Sequence, residues 1–431
     1  MTHSLDEIHS TIAIPRHFSK FRKFLAFAGP AFLISVGYMD PGNWATDIAG
    51  GSQFGYRLLS IVILSNLMAM VLQHLSLKLG IVTGRDLAQV CGDQFGKKTR
   101  IILWILAEIA ITACDLAEVI GSAIALQLLF GLPILAGVLV TSLDVFLLLL
   151  LQKRSEKHLE FFIISLVGII FGSFVLEILF SHPSVTQLLV GSIPTPELFT
   201  NRNMLYISIG ILGATVMPHN LYLHSALVQS RNFSKSIKGK AEAIYYSTLD
   251  TILALFAASG VNAAILIVAA ATFYNNGLHY VADIQDAYKL LAPILGNGWA
   301  PIVFAIALLA SGHSSTITGT LAGQVVMEGF LNIRLAAWKR RLLTRLLAIV
   351  PAVLVIVWFG EHGLAQLLVF SQVVLSLQLP FVVIPLVLFT ANKKLMRSFV
   401  SSFKLKWLAI GIAGTITILN LILIGQIANI L

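Results

Sequence analysis

The chain has 431 residues, 57% of them hydrophobic and 11% charged, with a mean hydropathy of +0.88. No water-soluble domain of this size carries that balance, so the chain belongs in a bilayer. Its net charge of +9 raises nucleic acid as a partner, which the placement of the charges argues against.

The first 24 residues form a polar tail of mixed charge. The apolar stretch that follows is too long for a cleaved signal peptide and has no small-residue cleavage site. A bilayer crossing needs about 20 mainly apolar residues. Such predicted spans run from 25 to 53, 57 to 80, 100 to 129, 133 to 152, 159 to 181, 204 to 230, 243 to 274, 297 to 327, 342 to 360, 363 to 391 and 406 to 430. The expectation is an all-α integral membrane protein of eleven helices in one domain, 1–431. Of the 29 Lys and Arg, 25 fall in the N-terminal tail and every second connection, from Arg16 through Lys153 and Arg154 to Lys406. The opposite side holds only Arg57, Arg202 and Lys289, and Arg345 lies inside a span. By the positive-inside rule the N-terminus is cytoplasmic and the C-terminus external. The basic balance is thus a topology signal. The setting read from this is a bacterial cytoplasmic membrane, with the lipid bilayer as partner, no nucleic acid and no obligate protein partner. Cys91 and Cys114 are too few for a disulfide framework or thiolate cluster, sit in no paired spacing, and read as apolar packing.

Two of the spans are interrupted. Helix 1 reads GYMDPGNWATD and helix 6 reads GATVMPHNLYLH. Aligned on Pro41 and Pro218, each gives x-Pro-x-Asn flanked by apolar helix, five helices apart. An odd offset inverts the second copy, so helices 1–5 (25–181) and 6–10 (204–391) are expected to form an inverted repeat, with helix 11 (406–430) added. Proline has no amide hydrogen and clashes one turn back, so both helices are expected to unwind near the midplane and free backbone carbonyls. Simple proline kinks are the plain alternative for either motif alone. A matched pair points instead to a transporter substrate site. Asp40 needs a cation, a proton or water at that depth. With Asn43 and the carbonyls near Gly37 and Ala214 it makes a hard oxygen set that suits many divalent ions. Met217 adds a soft thioether, which Mn²⁺, Fe²⁺ and later metals tolerate and Mg²⁺ or Ca²⁺ do not; taken alone, it reads as flexible core filler.

At these residues the chain resembles the Nramp family of proton-coupled divalent metal transporters, which have a leucine-transporter-like fold. The similarity runs from DPGNWATDIAGGSQFGY through MPHNLYLHSALVQSR to STITGTLAGQVVMEGFL. The resemblance implies a metal site of Asp40, Asn43, Met217 and the carbonyls of Gly37 and Ala214, with Gln372 of helix 10 a further ligand in one conformational state. It implies import of Mn²⁺ or Fe²⁺, with Cd²⁺, Co²⁺ and Zn²⁺ as further candidates, together with H⁺, and no cofactor. One departure stands out: His313 in helix 8 occupies a position where the family leads one to expect glutamine.

Proton coupling calls for titratable groups leading away from the metal. Helix 3 supplies Glu108, Asp115 and Glu118 on one face, and three carboxyls in one span read as functional by default. Arg345 in helix 9 is the expected cationic partner, with Arg341 either a contributor or a plain cytoplasmic charge. His219 titrates between pH 5 and 8 and, as the resemblance implies, belongs to the proton path; His224 is the weaker candidate. Asn262 and Gln73 are expected to line the pathway. Asp144, Glu177 and Asp250 also fall inside spans and suggest only helix-to-helix hydrogen bonds.

The sequence carries no phosphate loop, nucleophile arrangement or ATP-binding segment, so it reads as a secondary transporter and not an enzyme. An amino-acid or organic-cation carrier of the same fold would favour a small, glycine-rich first break, where Asp40 would repel a substrate carboxylate. A metal sensor would call for a signalling domain, which these short connections do not provide.

Overall fold

The computed structural model describes residues 19–141, 156–279, 283–295, 298–360 and 363–428, together with 9–14 and the single residues 5, 143 and 281. The second half of the fourth expected span, with Asp144, and the cations Arg16, Lys153 and Arg154 lie outside the described residues. The side chains of Lys157 and Arg341 do as well.

Each expected span meets helix. Helix 1 is Pro30–Ser35 and Pro41–Phe54, joined by the tight turn Gly37–Met39. Helix 2 is Leu59–Thr83, helix 3 Lys97–Phe130, helix 4 Ile134–Thr141 as described, and helix 5 Glu156–Ser181. Helix 6 is Arg202–Val216 and Pro218–Leu227. Helices 7 to 11 are Ile237–Thr272, Ala300–Leu331, Ala337–Phe359, Gly363–Thr390 and Phe403–Ile427. Helix 1 begins five residues later than the sequence suggests. A separate helix, Lys20–Phe27, closes at Ala28; Gly29, at φ 130°, then precedes the membrane segment, which Pro30 opens at its first position.

Length and apolarity alone mark eight helical stretches as membrane-crossing among the described residues. The first, Pro41–Thr83, holds the second half of helix 1 together with helix 2, with Gly55 at φ 61° between them. Helix 5 qualifies with the short helix Val185–Gly191, bent from it by 117°.

The solvent logic of the fold is reversed. Leu67, Phe256 and Trp358 are more than half exposed, whereas Asp40, Glu118, Asn220 and Gln372 are fully buried. Apolar faces therefore meet lipid, and the ionisable groups face the helix bundle. Small residues bring the backbones together. A Cβ on Gly213 would stand 2.2 Å from the Gln372 carbonyl oxygen, and one on Gly121 would stand 2.1 Å from Pro41 Cβ. Helix 10 thus seats on helix 6 beside Ala214, and helix 3 on the break of helix 1.

The connections segregate as the charges require. Ile12–Ala13 pairs in parallel with Arg231–Asn232 after helix 6, and the Leu5 amide donates to Glu328 Oε2 at the end of helix 8 (3.2 Å). On the opposite face Arg57 pairs with Glu197 at 2.8 Å, and Ser52 Oγ donates to the Val281 carbonyl at 2.7 Å. The tail thus meets the segments at the ends of helices 6 and 8 on one face, and the connections after helices 1, 5 and 7 meet on the other.

Candidate metal site and polar pathway

Pro41 follows Gly37 by four residues and Pro218 follows Ala214 by four, so neither carbonyl has an amide hydrogen to accept in the α-helical pattern. The two helices resolve this differently. Helix 1 tightens, and the Asp40 amide donates to the Gly37 carbonyl at 3.2 Å. Asp40 then turns extended (φ −66°, ψ 162°) and caps the next helix, Oδ1 accepting from the Asn43 amide at 2.8 Å. The Met39 carbonyl accepts from Trp44 Nε1 at 3.1 Å and from Ser311 Oγ. Helix 6 breaks at one residue. Met217 takes φ 44°, ψ 98°, a left-handed conformation that side-chain-bearing residues avoid.

The freed groups converge on the amide of Asn43. Its Nδ2 donates to Asp40 Oδ1 at 2.7 Å and to the Ala214 carbonyl at 3.1 Å. Its Oδ1 accepts from Asn262 Nδ2 at 3.1 Å, while Asn262 Oδ1 is buried without a hydrogen-bond partner among the described residues. Met217 Sδ accepts from Asn220 Nδ2 at 3.2 Å and lies 3.3 Å from where a Cβ on Gly37 would be. Asn220 Nδ2 also donates to the Ile34 carbonyl at 3.3 Å, tying the two breaks together. Gln372 lies against Gly42, where its Nε2 is 1.8 Å from the position of a Cβ; its Oε1 is buried without a partner among the described residues. Asp40, Ala214, Met217 and Gln372 are 0% exposed and Asn43 1%, so the cluster is closed to both faces. Among the described residues no three of His, Cys, Asp and Glu converge to hold a metal. The donors at the breaks are instead one carboxylate with neutral oxygens and a thioether.

From Asp40 a row of polar groups runs along helix 3. Cys114 Sγ stands 4.0 Å from Asp40 Oδ2, 3.7 Å from Glu118 Oε1 and 3.7 Å from His219 Nε2. Glu118 Oε2 accepts from Thr316 Oγ1 at 2.9 Å, and Thr316 Oγ1 accepts from Arg345 at 2.7 Å. Arg345, 1% exposed, also reaches Asp115 Oδ1 at 3.3 Å and Glu118 Oε2 at 4.0 Å. Glu108 pairs with Arg340 and accepts from Trp104 Nε1 at 2.9 Å.

The expected residues divide accordingly. Asp40, Asn43, Met217, Gly37, Ala214, Gln372 and Asn262 gather at the breaks. His219, Glu118, Asp115 and Arg345 form the adjoining row, with Glu108 further along helix 3. His224 and Gln73 form a separate arm: His224 Nδ1 bonds Gln73 Oε1 at 2.9 Å, and Gln73 Nε2 donates to Tyr38 at 3.0 Å. The cation on Glu108 is Arg340, a residue that its position in the chain places among the cytoplasmic charges. Cys114, read as packing, is packed but also joins Asp40, His219 and Glu118. Its spacing of one turn before Glu118 was the available signal. Thr316 and Asn220 were also missed as site residues, although Asn220 belongs to the repeated motif. Asp250 accepts from the amides of Gly29 (3.4 Å) and Ala31 (3.0 Å), the helix-to-helix role expected of it. Glu177 is buried with neither carboxylate oxygen hydrogen-bonded among the described residues. His313 bonds the Leu309 carbonyl of its own helix at 3.0 Å, away from the breaks.

The Nramp family model, described as natural resistance-associated macrophage protein-like, matches residues 31–426. A divalent metal cation transporter MntH from Nostoc is 57% identical over 423 residues, covering 98% of this chain and 96% of that protein. A solved manganese transporter of Eremococcus coleocola superposes with a TM-score of 0.90 at 41% identity, covering 99% of this chain and 91% of that one. Mhp1, a nucleobase-cation-symport-1 family transporter, matches at a TM-score of 0.61 and 13% identity over 92% of this chain and 89% of its own. That last likeness concerns the fold alone.

Proposed function

The chain belongs to the Nramp family, and from that premise we propose that it is a secondary transporter, not an enzyme, that imports divalent transition-metal ions with protons by alternating access. The ion binds between the broken segments of helices 1 and 6. Asp40 supplies the anionic ligand, the carbonyls of Gly37 and Ala214 supply oxygens, and Met217 supplies the thioether that disfavours Ca²⁺ and Mg²⁺. Mn²⁺ and Fe²⁺ are the main cargo, with Cd²⁺, Co²⁺ and Zn²⁺ as further substrates. No cofactor or protein partner is required.

One observation carries this reading. The Asn43 NH₂, the positive end of an amide dipole, sits between the Asp40 carboxylate and the Ala214 carbonyl. Two acceptors that already hold a partial positive charge suit a cation better. Binding through the Asn43 oxygen requires a half-turn of its amide, which presents Nδ2 to Asn262. Asn262 answers by turning its own amide, whose Oδ1 now lacks a partner. Gln372 joins when helix 10 shifts past Gly42.

Protons leave Asp40 by way of Cys114 and His219 toward Glu118. Arg345 and Thr316 hold Glu118 and Asp115 in place, and Glu108 with Arg340 continues the row. His224 and Gln73 line a separate polar arm off the pathway. The helix bundle that carries the site rocks within the fold of two inverted repeats, 25–181 and 204–391, with helix 11 outside them, in a bacterial cytoplasmic membrane with the N-terminus inside. The test is the pure protein in sealed vesicles with an internal Mn²⁺-sensitive dye. An inward proton gradient is expected to drive accumulation, and its absence under that gradient refutes proton-driven import.

A further inference from the structure

A cavity of about 590 Å³ opens on the face that carries the N-terminal tail. Three separate stretches of chain build it: the end of helix 2 with the short helix Leu87–Gln94, the connection from helix 6 to helix 7, and the connection from helix 10 to helix 11. Five of its lining residues are cations, Arg85, Lys235, Lys240, Lys394 and Arg397, and one, Asp93, is an acid. Asp93 is engaged with Arg85 at 3.0 Å, so among the described lining residues no second carboxylate faces the other four cations, of which Lys240 donates to the Val82 carbonyl at 2.7 Å and Lys235 stands 4.4 Å from the Phe233 ring.

Two details bear on how these cations are held. Burial, reinforced by the charge of Lys240, lowers the Lys235 ammonium below the ordinary lysine range. Arg397 holds φ 50°, a backbone conformation that a bulky residue adopts only at a cost, and that turn sets its position in the cavity wall. The positive-inside rule explains many cations on this face but not their convergence, from three connections, on one cavity. The remaining wall is mixed: Val82, Val90, Ile237, Leu395, Met396 and Phe399 are apolar, and Thr83, Gln94 and Ser398 are polar. Converging cations, beside both apolar and polar wall, in a volume within the range of small-molecule sites describe a site for an anion.

We propose that this cavity binds a phosphate-bearing anion, either the headgroup of an anionic lipid or a phosphorylated solute of the cytoplasm. Bound there, the anion bridges the ends of helices 2, 7 and 10, and so ties the helix that carries Gln372 to the segment that follows the broken helix 6. Guanidinium and ammonium groups together suit phosphate oxygens.

The experiment uses the full-length protein in neutral detergent, with native mass spectrometry and thermal unfolding read against two probes, short-chain phosphatidylglycerol and inorganic pyrophosphate. The triple variant Lys235→Gln, Lys394→Gln, Arg397→Gln is compared with Arg334→Gln, Lys339→Gln, which removes charge from the same face outside the cavity. Saturable binding of at least one probe is expected, weakened tenfold or more in the triple variant and unchanged in the control. Binding of the lipid alone identifies a headgroup site, and binding of pyrophosphate alone a solute site. Retained Mn²⁺ binding shows that the triple variant is folded; if it is lost, the single variant Lys394→Gln is read instead, with a threefold weakening expected. The proposal is overturned if neither probe saturates, or if the cavity variant and the control bind alike. Mn²⁺ binding reports separately on the metal site, so failure here leaves the transport reading standing.

Discussion

Asp40 has two duties that a single substitution can separate. Its Oδ1 caps the second half of helix 1 through the Asn43 amide and receives the Asn43 side chain, while its charge is the one anionic contribution to the proposed ligand set. Asparagine caps helices about as well as aspartate, whereas alanine costs roughly 1 kcal/mol. In Asp40→Asn the helix break therefore survives and only the charge is lost. Breaking a buried ion pair by removing one partner costs about 3–5 kcal/mol. At about 1.4 kcal/mol per tenfold, Mn²⁺ affinity is expected to fall by roughly two to four orders of magnitude. Calorimetric titration of Mn²⁺ into detergent-solubilised protein measures the loss, and metal-free thermal unfolding checks the fold. Asp40→Ala should lose the same affinity and a few degrees of thermal stability as well. If Asp40→Asn unfolds like the native protein and binds Mn²⁺ within threefold of it, the metal site does not depend on Asp40 and the reasoning fails.

Met217→Ala is expected to keep measurable Mn²⁺ uptake while admitting Ca²⁺ or Mg²⁺; a competition series in vesicles with an unchanged selectivity order would remove the thioether argument. Asn262→Asp offers Asn43 only acceptors, which favours the amide orientation that turns the Asn43 oxygen toward the metal. By the worth of one charge-assisted hydrogen bond, about 1.5–3 kcal/mol, Mn²⁺ should bind roughly 10- to 100-fold tighter, and unchanged or weaker binding would refute the paired rotation. A methyl group on Gly121 would stand 2.1 Å from Pro41 Cβ, against the 3.4 Å at which ordinary contact begins. Gly121→Ala should therefore cost about 1–3 kcal/mol of overpacking and impair transport, and a normal melting temperature with normal flux would show that helix 3 has room to withdraw.

The spans were legible because a bilayer imposes length and apolarity on each one separately. The same test becomes less decisive where a span is broken, short or run into its neighbour. Helix 1 is divided at Gly29 and again at Asp40, and its second half continues past Gly55 into helix 2, so a length criterion merges what charge placement and the proline motif keep apart. Charge placement was the stronger guide because it reads the loops, and the loops on each face do meet: the tail with the segment after helix 6, and Arg57 with Glu197.

At the site, legibility followed from covalent structure. A proline four residues after a carbonyl removes that carbonyl's helical donor whatever the surroundings, so Gly37 and Ala214 could be named from spacing combined with the family resemblance. The contacts made by polar side chains depend on which helices pack together, and spacing along one helix cannot supply that. Arg340 was assigned to the cytoplasmic surface by its position, yet the packing of helix 9 on helix 3 gives it Glu108. Cys114 looked like filler because a thiol is at home in an apolar span. Its contacts arise because helix 3 crosses helix 1 at the break, where Gly121 admits Pro41, and helix 6 brings His219 to the same point. Gln73 and His224 show the converse: both are buried polar residues in pathway helices, and they bond each other and Tyr38 without touching Asp40, while His224 Nε2 has no partner among the described residues. A buried polar side chain therefore signals a network, and the helix crossing decides whether that network is the one that handles the ion.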